Sequence, residues 1–232
     1  MRTSNPLIRV DGISKSFGGH RVLRDISINI HPGELVLMLG SNGAGKSTLL
    51  KILSGLSRAD SGNITSSVAG RVEFVSASLQ LYPRLTVREN LSFFQSIYAS
   101  QFKVSLLDEV LDEWGLVSVA QKSVHDLSKG NQWKVALARA FLAQPTVLLL
   151  DEPTSNLDDA AVSVLLTKLT RITAQQGGSV VMATHDIARL EHAVNRVLIV
   201  DGGRKVSDSA EVDENAALRI QDFIELYRER NR

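Results

Sequence analysis

Apolar positions divide the chain into segments with the period of a strand and segments with the period of a helix. Leu7 to Val10, the alternating stretch 23–30 and the unbroken apolar run Leu35 to Leu39 indicate strands. A glycine-rich loop comes next, and the pattern from Ser47 to Leu53 predicts a helix that Gly55 ends. The first part of the chain is therefore predicted to form strands and then a strand, loop and helix unit.

Helical periodicity dominates the middle of the chain, over approximately residues 86–143. Arg71 to Val75 predicts one strand before this region. Thr86 and Glu89 have the spacing of a capping box, in which a hydroxyl and a carboxylate bond to exposed amides where a helix begins. A second apolar repeat at helical spacing runs from Leu106 to Trp114.

The last third alternates strands with helices, which indicates a parallel sheet with right-handed crossovers. The predicted strands are 147–150, 179–183 and 197–200, and the predicted helices are 160–175 and 187–192. Gly202 and Gly203 predict a turn into a short strand, and approximately residues 211–232 predict a charged C-terminal helix. Because no linker or repeat interrupts the pattern, we expect residues 1–232 to form a single domain.

Composition excludes several classes of function. The 44% hydrophobic and 22% charged residues are typical of a globular protein, and a formal net charge of +1 gives no reason to expect nucleic acid as a partner. The absence of cysteine excludes disulfides, thiolate metal sites and cysteine nucleophiles. Apolar runs such as Leu35 to Leu39 are far shorter than the ~20 residues that span a bilayer. Any membrane role is therefore expected to come through another chain.

The glycine-rich loop has the spacing of a phosphate-binding loop. It reads Gly40, Ser41, Asn42, Gly43, Ala44, Gly45, Lys46, Ser47 and fits G-x-x-x-x-G-K-[ST], with Thr48 next. Glycines let backbone amides surround a phosphate chain, and the following helix adds its positive end. Lys46 is expected to neutralise the β and γ phosphates of ATP, and the Ser47 hydroxyl to bind Mg²⁺. Its place between a buried strand and a helix argues against a chance glycine-rich turn.

Two carboxylates, Asp151 and Glu152, come directly after the buried strand 147–150. Ligands of open α/β sheets collect at the carboxyl ends of the strands. Asp151 is suited to orient the metal, and Glu152 to polarise the attacking water. The alternative is that the strand simply ends in two solvated acidic residues. The presence of a phosphate-binding loop makes this alternative the weaker interpretation.

With these motifs in this order, the sequence resembles the ABC transporter ATP-binding family over nearly its whole length. The stretch Leu127 to Asn131 resembles the family's LSGGQ signature, Asp151 to Asp158 its Walker B motif and D-loop, and Ala183 to Asp186 its switch-histidine motif. The resemblance implies an α/β fold: a P-loop NTPase core with a mostly parallel sheet, an N-terminal antiparallel β subdomain and an inserted α-helical subdomain. It also implies ATP and Mg²⁺ as ligands.

The resemblance further assigns roles to residues outside the phosphate-binding loop. Ser128 and Gly130 would complete the ATP site of an opposite subunit, either a second copy or a homologous ATPase subunit. His185 would contact the γ phosphate and the attacking water, and Phe17 would stack on adenine. By residue type alone, Ser128 is an ordinary helix cap, His185 a polar loop residue and Phe17 a plain strand aromatic.

The sequence departs from the family pattern at two places. Lys129 and Asn131 replace Gly and Gln in the signature, although Ser128 and the second glycine remain. The family's Q-loop glutamine falls on Ala77, and Gln80 lies three residues later. We expect a degenerate Q-loop, with a displaced Gln80 as the alternative.

The favoured function is therefore the ATP-hydrolysing engine of a membrane transporter, held on the inner face of the cell membrane by a transmembrane permease. Residues Leu81 to Leu91 resemble ATPases of the ABC-2 exporter type, so we favour export over import. A soluble ABC module of nucleic-acid repair or translation is the alternative, although it calls for a coiled-coil insertion or a second ATP-binding half. A non-hydrolytic binding module is disfavoured because Glu152 and His185 are present.

Overall fold

Nine strands and six α-helices make up the described part of the chain. The computed structural model describes residues 5–68, 72–99, 106–211 and 220–230. In chain order the elements are β1 (Ile8–Phe17), β2 (His20–Ile30), β3 (Leu35–Leu39), α1 (Lys46–Leu53), β4 (Ser61–Ser66), β5 (Val72–Val75), α2 (Val87–Ala99), α3 (Leu107–Glu113), α4 (Lys129–Leu142), β6 (Val147–Asp151), α5 (Asp159–Thr170), β7 (Ser179–Ala183), β8 (Arg196–Asp201), β9 (Arg204–Asp208) and α6 (Ile220–Arg230).

A six-stranded sheet in the order β5-β6-β7-β3-β8-β9 forms the centre of the fold. Its strands are parallel except β9, which returns antiparallel to β8 after the turn at Gly202 and Gly203. Every residue of β3 and β7 is buried, as expected of parallel strands that are covered on both faces. Ala183 pairs with both Met38 and Asp151, so the carboxyl ends of β3, β6 and β7 lie side by side.

A smaller antiparallel sheet, in the order β2-β1-β4, covers one side of this centre. Alternate residues of its strands, such as Ile8 and Val10, are buried in a core that includes Val36 and Met38 of β3. The other face of the central sheet packs against α2 to α6. The fold therefore confirms the predicted α/β class, with a mostly parallel sheet, an N-terminal antiparallel sheet and helices inserted between β5 and β6.

The predicted capping box begins α2. The backbone amide of Thr86 donates to Glu89 Oε2 at 2.8 Å, and the amide of Glu89 donates to Thr86 Oγ1 at 3.1 Å. Two otherwise unpaired amides of the first turn are thereby satisfied. The amide and the hydroxyl of Thr86 both donate to the Glu89 carboxylate, and these two bonds lower the pKa of that carboxyl.

Several sequence-based boundaries need correction. Strand β4 lies in the polar stretch 57–67, where no strand was predicted. The apolar pattern missed it because its residues are mostly exposed and are held by pairing with β1. The short helix predicted at 187–192 is wrong, since the chain there forms a series of turns. Of the C-terminal helix predicted at 211–232, residues 220–230 are helical, and residues 212–219 and 231–232 lie outside the described ranges. Arg71, the predicted start of β5, also lies outside them.

The C-terminal helix α6 docks on the central sheet through one apolar stripe. Phe223 and Ile224 are 3% and 1% exposed, and Ile220 and Tyr227 pack partly buried against the same core. These positions follow the i, i+3, i+4, i+7 spacing of a single helix face. Among the described residues, none of the helices is long and apolar enough to cross a membrane.

Candidate functional site

The phosphate-binding loop joins β3 to α1 and needs glycine at positions where other backbone comes close. A Cβ on Gly40 would lie 1.9 Å from the carbonyl oxygen of Val200, which no side chain tolerates. Gly45 has a φ of +101°, and a Cβ there would lie 2.6 Å from Leu23 Cδ2. Glycine is therefore dictated at these two positions by backbone geometry and by crowding from β8 and β2.

A cavity of about 390 Å³ opens over this loop and brings most of the predicted site residues together. Its lining comprises Val22, Asn42, Gly43, Ala44, Gly45, Lys46, Ser47, Thr48, Asp151, Glu152 and His185. The two remaining loop residues, Gly40 and Ser41, lie at the base of the loop and contact Lys46. The loop, the two acidic residues and the histidine therefore share one cavity, as the sequence predicted.

Lys46 folds back into the loop. Its Nζ donates to the carbonyl oxygens of Gly40 at 2.6 Å and Ser41 at 3.0 Å. Burial lowers the pKa of this ammonium group, while the nearby charges of Glu152, Asp151 and Asp201 act in the opposite direction. Two backbone carbonyl oxygens thus hold a cation inside the loop, next to the cavity in which a phosphate chain would lie.

Glu152 is held in a fixed position at the ends of β6 and β7. Its φ is +53°, an uncommon backbone conformation for a non-glycine residue, and its amide donates to the carbonyl of Ala183 at 2.8 Å. Its Oε2 accepts from Thr184 Oγ1 at 3.0 Å and from the amide of His185 at 3.3 Å. His185 Nε2 lies 3.5 Å from the other carboxylate oxygen. The carboxylate therefore faces the phosphate-binding loop in a defined orientation.

Ser47 and Asp151 offer the oxygen ligands that Mg²⁺ prefers. The Ser47 hydroxyl lies in the first turn of α1, Asp151 is the last residue of β6, and both line the cavity. A hydroxyl and one carboxylate beside a phosphate pocket suit this ion, which usually binds one or two protein groups together with substrate phosphates.

Ser128 and Gly130 lie outside the cavity of their own chain. Ser128 is the N-cap of α4 and accepts from the amide of Asn131 at 3.3 Å. A Cβ on Gly130 would lie 2.9 Å from the carbonyl oxygen of Asn156, so the signature residues pack closely against the D-loop. Ser128 therefore does cap α4. Neither Ser128 nor Gly130 could contact an ATP molecule bound in the cavity of its own chain.

Phe17 also lies apart from the cavity lining. The ring is at the end of β1, 52% exposed, with Lys15 Nζ 5.3 Å from its centroid. Its predicted stacking on adenine remains a prediction.

The loop after β5 contains Ala77 and Gln80, the two residues at which the sequence departs from the family's Q-loop. Ala77 is exposed, and Gln80 Oε1 accepts from Arg139 Nη1 at 2.9 Å. Arg139 is 3% exposed, also donates to the carbonyl of Phe74 at 3.0 Å, and lies over the ring of Phe94. Gln80 is therefore engaged by the helix that begins at the signature, and neither Ala77 nor Gln80 lines the cavity.

Sequence reasoning missed three residues that shape the site. Asp201 accepts from the Ser41 hydroxyl at 2.7 Å, and Val22 lines the cavity. Asp201 comes directly after the buried strand 197–200, so the signal that identified Asp151 was present there as well. Arg139 gave no such signal, because its partners come from distant parts of the chain.

Comparison with known proteins gives one consistent result. The sequence profile described as ABC transporter matches residues 23–155, more than half of the chain. The glutamate/aspartate import ATP-binding protein GltL of Escherichia coli (strain K12) is 32% identical over 237 residues, covering 94% of this chain and 98% of that protein. The ABC transporter ATP-binding protein YdbJ of Bacillus subtilis (strain 168) is 30% identical, covering 94% of this chain and 75% of that protein.

Solved structures agree with the sequence comparisons. A structure of the ATP-binding subunit of an ABC transporter superposes with a TM-score of 0.82 at 26% identity, covering 97% of this chain and 100% of that one. The dimeric ABC transporter cassette MJ0796 superposes with a TM-score of 0.75 at 24% identity, covering 87% and 97%, and supports the fold alone.

The engagement of Gln80 by Arg139 predicts that Gln80 has little part in hydrolysis. We expect Gln80→Ala to change the rate of Mg-ATP hydrolysis by less than about threefold, and Ala77→Gln to leave it unchanged or raise it. The loss of a metal contact would instead cost about tenfold or more, or about 1.4 kcal/mol in the barrier. Steady-state ATPase rates with thermal melting curves check this, and a tenfold loss in a stable Gln80→Ala variant would mean that Gln80 leaves Arg139 to bind the metal.

Proposed function

The chain belongs to the ABC transporter family of ATP-binding proteins, and we propose that it powers a transporter whose membrane-spanning permease is a separate polypeptide. The protein is an ATPase subunit of that family. The observation that carries the proposal is the shared cavity of Lys46, Ser47, Asp151, Glu152 and His185. A phosphate-binding cation, two metal-binding oxygens and a fixed carboxylate meet there.

Each of these groups has a distinct task in the proposed reaction. Lys46 exchanges its two backbone carbonyls for the β and γ phosphates of ATP, which compensate its charge better than neutral acceptors do. Ser47 and Asp151 hold Mg²⁺, which when bound neutralises charge on the phosphates. Glu152 accepts a proton from the attacking water, and His185 contacts the γ phosphate beside it.

A second subunit is needed to complete this site. Ser128 and Gly130 begin α4, where a hydroxyl and the positive end of a 14-residue helix are available to an anion. Since these residues lie outside their own chain's cavity, we place them against the γ phosphate held by a partner, either a second copy or a homologous ATPase subunit. Two chains then pair head to tail, with two ATP molecules between them. ATP binding closes this dimer, and hydrolysis reopens it.

A partly exposed patch of three aromatic side chains and one isoleucine, on α2 and in the loop before it, is the proposed contact with the permease; it is called the aromatic patch below. We define the patch as Tyr82, Phe93, Phe94 and Ile97. The rings of Tyr82 and Phe93 are 5.1 Å apart, and Tyr82, Phe93 and Ile97 are 41 to 47% exposed. Exposed apolar clusters of this kind mark interaction surfaces. The patch adjoins Arg139 through Phe94, so a permease bound there would lie next to the helix that carries the signature.

On this proposal the protein lies at the inner face of the membrane, held by the permease. Export is the direction that we favour, on the resemblance of residues 81–91 to exporter-type ATPases. Import is the second candidate, because relatives such as GltL and the spermidine/putrescine protein PotA carry import in their names.

Lys46 and Glu152 are predicted to fail in different ways when replaced. We expect Lys46→Ala to weaken ATP binding about 10- to 100-fold, the loss of one charge-assisted contact. We expect Glu152→Gln to bind ATP normally but to hydrolyse it about 10²- to 10⁴-fold more slowly, the usual contribution of a general base. Equilibrium binding and turnover are measured side by side, with the exposed Glu109→Gln on α3 as a matched control. Normal turnover by Glu152→Gln would remove Glu152 from the proposed role.

Dimerisation is predicted to depend on both ATP and Ser128. In size-exclusion chromatography, Glu152→Gln should shift to twice its mass with Mg-ATP and stay monomeric with Mg-ADP, which lacks the γ phosphate. Adding Ser128→Asp keeps a good helix cap but places a negative charge next to the partner's phosphate, so the double variant should remain monomeric. A double variant that dimerises equally well would contradict the head-to-tail arrangement.

Loss of the aromatic patch is predicted to release the protein from membranes. Replacing Phe93 and Ile97 by Ser should lower the membrane-bound fraction in the native cell about tenfold or more. Binding would bury only the exposed 41–42% of each side chain, and about 1.4 kcal/mol in total is enough for a factor of ten. Leu56→Ser removes an apolar side chain outside the patch that is even more exposed, at 58%, and should have no effect. Quantitative immunoblots of sedimented membranes measure the bound fraction. If the unaltered protein, the double variant and Leu56→Ser are bound equally, the permease does not contact the aromatic patch.

A further inference from the structure

A single arginine after the switch-histidine motif ties that segment to the D-loop. Arg189 lies in the series of turns that follows β7, shortly after His185. Its Nη1 donates to the carbonyl oxygen of Leu157 at 3.3 Å, and its Nη2 lies 2.9 Å from Asp159 Oδ1. Its Nε lies 3.4 Å from Asp186 Oδ2. One guanidinium therefore joins the residue directly after His185 to the end of the D-loop and the start of α5.

The three groups that Arg189 meets belong to two separate segments of the chain. Leu157 and Asp159 lie at the end of the D-loop and in the first turn of α5, whereas Asp186 lies in the turns after β7. A planar guanidinium presents five N–H donors in a fixed fork, so it can meet all three groups at once. Arg189 is 39% exposed, and exposed ion pairs contribute only about 0–1 kcal/mol to stability. Contacts of this size hold one local segment in place and do not decide whether the chain folds.

The end of the D-loop gives this arginine a firm support. Asp158 caps α5 by accepting from the amide of Ala161 at 2.8 Å, and its other oxygen accepts from Lys134 Nζ of α4 at 2.9 Å. The carbonyl of Asn156 lies next to Gly130, in the first turn of α4. The D-loop is thus fixed to two helices, and a segment tied to it takes its position from them.

The turns held by the guanidinium have fewer backbone hydrogen bonds than a helix would supply. Residues 187–193 form turns, in which Ile187 and Leu190 are buried and anchor the segment to the core. On the other side of the histidine, the amide of His185 donates to Glu152 Oε2 at 3.3 Å, which is a long hydrogen bond. The position of the imidazole beside the Glu152 carboxylate therefore depends on what holds the chain after it.

We propose that Arg189 is a positioning residue for ATP hydrolysis. It holds the loop that carries His185 against the D-loop, so that the imidazole stays beside Glu152 and the γ phosphate. The inference rests on the proposed function, from which it takes the role of His185. Arg189 does not line the cavity and acts through the histidine.

Arg189→Met tests this, because it keeps an unbranched side chain and removes all the donors. Arg228→Gln is the matched control: Arg228 Nη2 donates to Glu191 Oε2 at 3.1 Å, so this change breaks a comparably exposed contact of the same turns. The dissociation constant for Mg-ATP, the kcat for hydrolysis and the melting temperature are measured for both full-length variants. Amide hydrogen exchange over residues 184–191 is followed without nucleotide.

We expect Arg189→Met to lower kcat about tenfold or more, because a small displacement of a reacting group can cost about 100-fold. The dissociation constant for Mg-ATP should stay within about twofold, since the phosphate-binding loop is untouched. Amide exchange over residues 184–191 should be faster, and the melting temperature should change little. Arg228→Gln should match the unaltered protein in all four measurements. Arg189→Met added to His185→Ala should cost no further activity, because the arginine acts through that histidine.

Unchanged kcat and unchanged amide exchange in a folded Arg189→Met variant would each overturn the positioning role. A further loss of kcat in the double variant, or an equal loss in Arg228→Gln, would also overturn it. His185→Ala alone separates this inference from the proposed function. Normal turnover by His185→Ala would contradict the proposed role of the histidine and the inference with it, whereas impaired turnover beside a normal Arg189→Met would contradict the inference alone.

Discussion

The register of four neighbouring parallel strands determines where the reactive groups of this protein lie. Met38 of β3 pairs with Ala183 on one side and Leu198 on the other, and Ala183 also pairs with Asp151. The segments that come after β3, β6, β7 and β8 therefore leave the sheet at one edge. A shift of one residue in any of these strands would move the segment that follows it by about 3.3 Å along the sheet, so the pairing of the strands also fixes the site.

Local signals in the sequence were sufficient for the features that depend on neighbouring residues. The buried runs of β3, β6 and β7, the phosphate-binding loop and the capping box of α2 were all predicted from residue types and spacing. The acidic pair and His185 line the same cavity, because the loops after parallel strands leave the sheet at a common edge. Residue spacing indicated the acidic pair, whereas His185 was assigned by the family resemblance.

Features that depend on distant contacts could not be predicted in this way. Strand β4 has a polar sequence and is a strand only because β1 offers an unpaired edge. Ile187 and Leu190 are buried at helical spacing, yet the chain there forms turns, since apolar spacing reports which side is buried and not the hydrogen-bonding pattern. The partner of Gln80 lies far away in sequence, at Arg139.

The buried guanidinium of Arg139 has a mechanical consequence. It ties α4 to the strand before the Q-loop, to Gln80 and to the ring of Phe94, and such a side chain cannot leave its partners without exposing a charge to an apolar interior. Helix α4, about 21 Å long at 1.5 Å per residue, then behaves as a stiff strut. In the proposed assembly, Ser128 at one end of this strut would contact a partner's nucleotide, and Phe94 of α2, beside the other end, would contact the permease. A stiff α4 would then couple movement at the nucleotide to movement at the permease.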